Sequence, residues 1–293
     1  QSSSPTSFEQ AEEMYLKAMS NGNFSEWPKA DSIFSEIIAK DQVYPSHKKI
    51  QAEVYRLFIK HPKISNKADE KTRNQDLAFI DQLLKENPNL ENEQTDTYVQ
   101  LLMLKNRILY HHNPVESLKN CEELIDKYKS NQNISKTTIA SIYETLARNY
   151  YAQKFLNKGI HYAIKSFEYF EQSDWNFKTI AMAQYAGGGY YNVDKIDSSL
   201  YYMEIAYDLL KKTEGDDTPM LKRRSEMAFN IGVIYQGKTG DYFESEQYLK
   251  EAIHMETQAH GEKSPTLITY YSLLADTYYY IKDIEKASYY GLK

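Results

Sequence analysis

The sequence predicts an all-α protein built of antiparallel helix pairs, and two observations carry that expectation. A small residue followed three places later by tyrosine recurs as Ala147 and Tyr150, Gly187 and Tyr190, Gly232 and Tyr235, and Ala275 and Tyr278, at intervals of 40, 45 and 43 residues. After each comes a short polar turn and a second amphipathic stretch, so one supersecondary unit is repeated. The other observation is compositional: 11 Gly and 8 Pro in 293 residues leave little room for the many tight turns of an all-β chain.

Taken in order, "EEMYLKAMSNGNFSEWPKADSIFSEIIAKD" supplies the first pair, with Ala18, Ala30 and Ile37 at corresponding places. Pro28 sits where a second helix begins, and the first turn tolerates proline because its N–H has no intrahelical partner. "KKIQAEVYRLFIKH" pairs with "NQDLAFIDQLLKENPNL", which an Asn-Pro closes. "QLLMLKNRILYHHNPVESLKNCEELIDKY" follows, with Lys105 in the small position, a departure from the pattern. The four clear units then run from Tyr143, Ala183, Ala228 and Tyr271. Their second helices carry small residues at Gly159 and Ser166, Ser199 and Ala206, Ser245 and Ala252, and Ala287. This makes seven units, the first three degenerate, with residues 1–136 irregular and 137–293 well formed within one continuous array.

These spacings resemble the tetratricopeptide repeat, in the longer kinesin light chain-like variety towards the C-terminal half, where "HGEKSP" separates the last two units. The resemblance implies a right-handed superhelical solenoid. One helix pair cannot hide its apolar stripe alone, so pairs stack on their neighbours and leave a concave groove lined mainly by the first helices. Most of the 27 tyrosines are expected to pack between helices while their hydroxyls reach water or a polar partner.

Composition excludes several function classes. With 35 basic and 41 acidic residues the net charge is −6, which argues against a general affinity for nucleic acid or anionic membrane. No apolar run is long enough to span a bilayer. Cys121 alone forms no internal disulfide and reads as a small buried hydrophobe. The histidines at 47, 61, 111, 112, 161, 254 and 260 show no metal-ligand spacing, with His111 and His112 read as surface or cap residues, so no metal and no cofactor are expected. The pairs in "DKID" (194–197) and "GDD" (215–217) lack calcium-loop spacing and read as solvated turns. No nucleophile stands beside a base in a catalytic motif, and none of the array is expected to be an enzyme. The opening "QSSSPTS" is what signal-peptide cleavage leaves, which favours a periplasmic or extracytoplasmic location over the cytoplasm, although an arbitrary chain boundary looks the same.

The run Gly187-Gly188-Gly189 admits three readings: a phosphate-cradling loop, a hinge, or a close helix contact. A phosphate loop needs a strand before it and a helix starting at the glycines. Here "NFKTIAMAQYA" before them is helix-like, so that reading falls. Gly187 occupies the small position and Gly188 falls on the row facing the groove; the run reads as drift in a well-supported repeat, or as a wall cut away to admit a ligand backbone or to let the superhelix flex.

Residues four and seven apart share a helix face. The groove set is therefore Glu144, Arg148 and Tyr151; Gln184, Gly188 and Tyr191; Phe229, Val233 and Gln236; Ser272, Asp276 and Tyr279, with Asn192, Asn230 and Tyr280 beside it. Aromatic, amide and hydroxyl groups suit an extended peptide, because tyrosine gives contact area at low entropy cost and amides bond the main chain. The expected function is a non-enzymatic protein- or peptide-binding scaffold. The resemblance suggests the sensory or regulatory input segment of a longer bacterial protein, or alternatively the regulatory arm of a CHAT-type, caspase-like protease whose catalytic domain lies beyond Lys293.

Overall fold

The computed structural model of the chain describes residues 7–39, 44–60, 70–110, 112–213, 215 and 217–293. The expectations resting on residues 1–6, His61, His111 and Asp216 fall outside these residues. Every regular element among the described residues is helical: α1 (Ser7–Asn21), α2 (Trp27–Ala39), α3 (Ser46–Lys60), α4 (Glu70–Glu86), the short α5 (Leu90–Glu93), α6 (Thr95–Leu109), α7 (Pro114–Tyr128) and α8 (Lys136–Ala152). They continue as α9 (Leu156–Phe170), α10 (Asn176–Asn192), α11 (Ile196–Lys212), α12 (Thr218–Ile234), α13 (Tyr242–His260), α14 (Thr266–Tyr280) and α15 (Ile284–Gly291). Apart from α5 these fall into the seven pairs read from the sequence. The chain divides into two compact units, Gln1–Met182 and Ala183–Lys293, with the boundary inside α10.

Helix starts follow local capping chemistry. Asn113, Ser135, Asp217, Asp241 and Asp283 each accept a hydrogen bond from the backbone N–H three residues on, satisfying one of the orphan donors of the first turn. Turns within the clear pairs share one geometry. Lys154, Asp194, Gly240 and Lys282 adopt φ of 66, 56, 73 and 65°. The amide after each reaches back to the carbonyl of the repeat tyrosine, at Tyr150, Tyr190, Tyr235 and Tyr278. The third clear unit has one more residue in "GKTGD", and the chain absorbs it as a π-helical turn over Tyr235–Thr239.

In the first unit the core runs through contiguous clusters. Phe8, Ala11, Ala30, Phe34 and Ile37 close α1 on α2, Ile50, Val54 and Leu57 meet Ile80, and Val99, Met103, Cys121, Leu124, Ile142 and Leu146 join α6, α7 and α8. Cys121 is fully buried and its thiol is pushed up to about 12 by that burial. Ala147, at the small position, is also fully buried. In the third pair the register differs by one from the sequence reading. Asn106, not Lys105, lies at the close contact: its carbonyl accepts from Ser117 Oγ at 2.8 Å, as Gly232's accepts from Ser245 Oγ at 3.0 Å in the second unit. Asn106 is tolerated there because Asn120 donates to its side chain at 3.0 Å, while Lys105 reaches out to Asp81 at 2.5 Å.

In the second unit Leu249, Leu274 and Tyr278 form a fully buried cluster. A Cβ on Gly187 would lie 2.8 Å from Met203 Cγ and 3.1 Å from the Ser199 carbonyl, so the small residue is a close-contact requirement. The repeat tyrosines do more than fill space. Tyr235 donates to Glu204 of α11 at 2.6 Å and Tyr278 to Glu246 of α13 at 2.7 Å. Tyr150 makes the same bond to Glu122 of α7 in the first unit. In all three the carboxylate belongs to the second helix of the preceding pair, so the hydroxyl ties one pair to the next, and burial raises each of these tyrosines' pKa.

Candidate functional site

Two surfaces, one in each unit, bring chemistry-bearing side chains together. In the first, Glu144 of α8 is only 3% exposed. Burying a carboxylate is costly unless it is paired and hydrogen-bonded. Lys178 Nζ, from the first turn of α10, meets its two oxygens at 3.0 and 2.9 Å, and Arg148, one turn along α8, donates at 2.8 and 3.1 Å. These cations, with Arg107 behind them, hold the Glu144 carboxyl far below the usual carboxylate range despite its burial. Lys178 is pushed down to about 8 by burial and by the neighbouring Arg107 and Arg148, against the pull of Glu144.

This ion cluster borders a cavity of about 420 Å³ within the first unit, whose remaining wall is Tyr15, Met19, Phe24, Trp27, Phe58, Phe177 and Ala181. The turn between α1 and α2 closes it. Gly22 has φ of +74° and lies so tightly on the Phe177 ring that a Cβ there would collide, so this turn demands glycine on both counts. Phe24 then meets Phe177 edge-on at 5.5 Å and Trp27 at 4.5 Å, and Trp27 stacks on Tyr15 at 5.7 Å.

The sequence places Glu144, Arg148 and Tyr151 on an open groove. In the structure Glu144 and Arg148 belong to this walled cavity instead, because Lys178, 34 residues away, folds onto the carboxylate. Tyr151 is half-buried against Gly159, whose added Cβ would lie 2.9 Å from its ring. Arg107, Lys178 and the aromatic wall escape sequence reasoning altogether, since no local spacing links α1 to α10.

The second unit holds the other candidates. Tyr191, Tyr279 and Tyr280 are exposed to 38, 65 and 57%, and Asn192, Asn230 and Asp276 are exposed with them. Tyr191 carries Lys238 over its ring at 5.3 Å and Tyr280 stacks on Tyr242 at 5.0 Å. Gln184 is half-buried beside Met227, and Gln236 spans to the next first helix, donating to the Leu273 carbonyl at 3.3 Å and Thr277 Oγ1 at 3.2 Å. A Cβ on Gly188 would meet nothing within 4 Å. Since helix α10 runs uninterrupted through it, Gly188→Ala is expected to raise unfolding stability by about 0.5–1 kcal/mol in a urea titration, through the glycine's helix penalty alone.

Among the described residues no group of three or more His, Cys, Asp and Glu side chains is arranged to hold a metal ion, and no helix is long and apolar enough to cross a membrane.

Residues 223–293 match the family model described as tetratricopeptide repeat. No curated protein matches the chain. Among solved structures, the apo form of RapI is similar over 97% of this chain and 74% of its own, at 12% identity and a TM-score of 0.67. BtubC (BKLC) from P. vanneervenii is similar over 74% of this chain and 87% of its own, at 12% identity and a TM-score of 0.55. Aspartyl phosphate phosphatase F from Bacillus subtilis is similar over 99% and 74%, at 17% identity and a TM-score of 0.50. At these identities the likeness is one of fold. Residues 223–293 are thus tetratricopeptide repeat, and the helix pairs of the chain have the fold of repeat proteins of that kind.

Proposed function

We propose that the chain is a non-enzymatic repeat scaffold that holds a protein partner, as an extended peptide, along the first-helix face of residues 183–293. The observation that carries this reading is the exposure of the tyrosine and amide side chains Tyr191, Asn192, Asn230 and Tyr279, with the open space over Gly188. Aromatic side chains with polar tips give large contact area at low entropy cost, and amides supply partners for a peptide's main chain. A partner-binding array of this kind suits the regulatory input segment of a longer bacterial protein, and the fold likeness to RapI is in keeping with it. The likeness to the Bacillus subtilis protein is one of fold and carries no argument about the phosphatase activity in that protein's name, since fold alone does not transfer activity.

The test is selection of displayed random peptides on the whole chain. Enriched peptides are expected to lose about tenfold or more in affinity to the triple variant Tyr191→Ala, Asn230→Ala, Tyr279→Ala, because few residues carry most of an interface's energy. Peptides that bind the triple variant as tightly as the parent would overturn the reading.

A further inference from the structure

The cavity of the first unit is unusual in its charge. Three cations, Arg107, Arg148 and Lys178, border it against one carboxylate, Glu144. The aromatic hairpin that closes it, with Tyr15, Met19, Phe24 and Trp27, adds no charged group to the lining. Glu144 is occupied by Lys178 and Arg148 together. Arg107 lies with its guanidinium over the Phe58 ring at 5.8 Å, and no hydrogen bond to that guanidinium is found among the described residues. One donor on the same lining is buried and unsatisfied: Trp27 is 6% exposed and its indole N–H has no acceptor. Buried donors without partners are rare, because each forfeits its hydration. Here one occurs on an aromatic-walled cavity that already holds surplus positive charge, beside the half-buried Arg107. Lys178's lowered pKa comes first from burial, and Arg107 and Arg148 add to it by disfavouring its protonated form.

We propose that this cavity binds a small organic anion, a carboxylate carried on an aromatic body, with Arg107 as the principal donor to its oxygens and the ring held among Phe24, Phe58 and Phe177. The volume of about 420 Å³ lies within the range of small-molecule sites, which are mostly apolar with a few placed polar groups. A planar guanidinium matches a carboxylate's two oxygens better than any other side chain. The surplus of cations favours an anion over a neutral ligand, and the aromatic walls favour a ring over acetate or inorganic phosphate. This site is separate from the peptide face proposed for residues 183–293, so either can fail without the other.

The test is calorimetric titration of the whole chain with indole-3-acetate, with its neutral amide, with acetate, and with the blocked peptide acetyl-Gly-Gly-Trp carrying a free C-terminus. The acid is expected to bind about 10- to 100-fold more tightly than the amide, the span of one charge-assisted hydrogen bond. Acetate alone is expected to show no heat. Arg107→Met is expected to abolish the preference for acid over amide, and Arg107→Lys to restore part of it. The acid–amide comparison needs only the unaltered chain, so a failure of either variant to fold leaves the test intact. Equal binding of acid and amide, or no binding of the acid up to about 1 mM, overturns the proposal. Peptide binding as tight as that of the free acid also overturns it, because the site would then be open to a chain end.

Discussion

Glu144→Gln is expected to destabilise the first unit by about 3–5 kcal/mol, the cost of removing one partner from a buried ion cluster. The variant takes the carboxylate charge away from Lys178, 8% exposed, which keeps Arg107 and Arg148 as neighbours. Both tryptophans, Trp27 and Trp175, lie in this unit, so urea unfolding followed by indole fluorescence reports on it directly. The double variant Glu144→Gln, Lys178→Met is expected to be more stable than Glu144→Gln alone, because the methionine removes a cation that no longer has a partner. A loss under about 1 kcal/mol for the single variant would show that water, rather than Glu144, solvates these cations. The pH dependence has a definite sign. Glu144's folded pKa is depressed, so its contribution is fully present above the unfolded carboxyl value of about 4.3 and is lost as pH falls below it. In Glu144→Gln this acid limb is expected to flatten.

Tyr278→Ala is expected to cost about 3–5 kcal/mol in the second unit, in the range of large-to-small changes at aromatic core positions. Tyr278 is fully buried, stacks on Tyr290 at 5.4 Å and donates to Glu246 at 2.7 Å. Tyr278→Phe keeps the ring and removes only the hydroxyl, so it is expected to cost about 1 kcal/mol, the usual net value of a hydrogen bond to a partly exposed acceptor. The comparison separates packing from the tie to the preceding helix pair, and thermal unfolding by circular dichroism measures both. Equal losses for Phe and Ala would mean that the carboxylate bond, not the ring, holds α14 in place.

Much of this architecture is legible in the chain. Ala147, Gly187 and Gly232 mark close helix contacts because no larger residue fits there, and that constraint leaves a trace at fixed intervals. The three degenerate segments still bury their apolar stripes, in clusters around Phe34, Ile80 and Cys121. The slip from Asn106 to Lys105 arises because asparagine is not small. It fits only when Asn120 satisfies its side chain, a contact that repeat spacing does not encode. The extra residue of "GKTGD" is plain in the sequence, but its accommodation as a π-helical turn is not.

The candidate sites divide along the same line. Tyr191, Asn230 and Tyr279 follow from position within one repeated helix, which is a local property, and the structure exposes all three. Glu144 is misread as open because its burial depends on Lys178, on Arg107 and on the packing of Gly22 against Phe177, partners 34, 37 and 155 residues apart in the chain. Tertiary charge clusters of this kind carry no periodicity and become visible only in three dimensions.

The scaffold reading is tested most directly by the crystal structure of the chain bound to a peptide enriched in the selection. The peptide is expected to lie in extended form against Tyr191 of α10 and Tyr279 of α14, with Asn230 of α12 bonded to its main chain. A peptide seated on the second helices α11 and α13, with those three side chains uncovered, would contradict it.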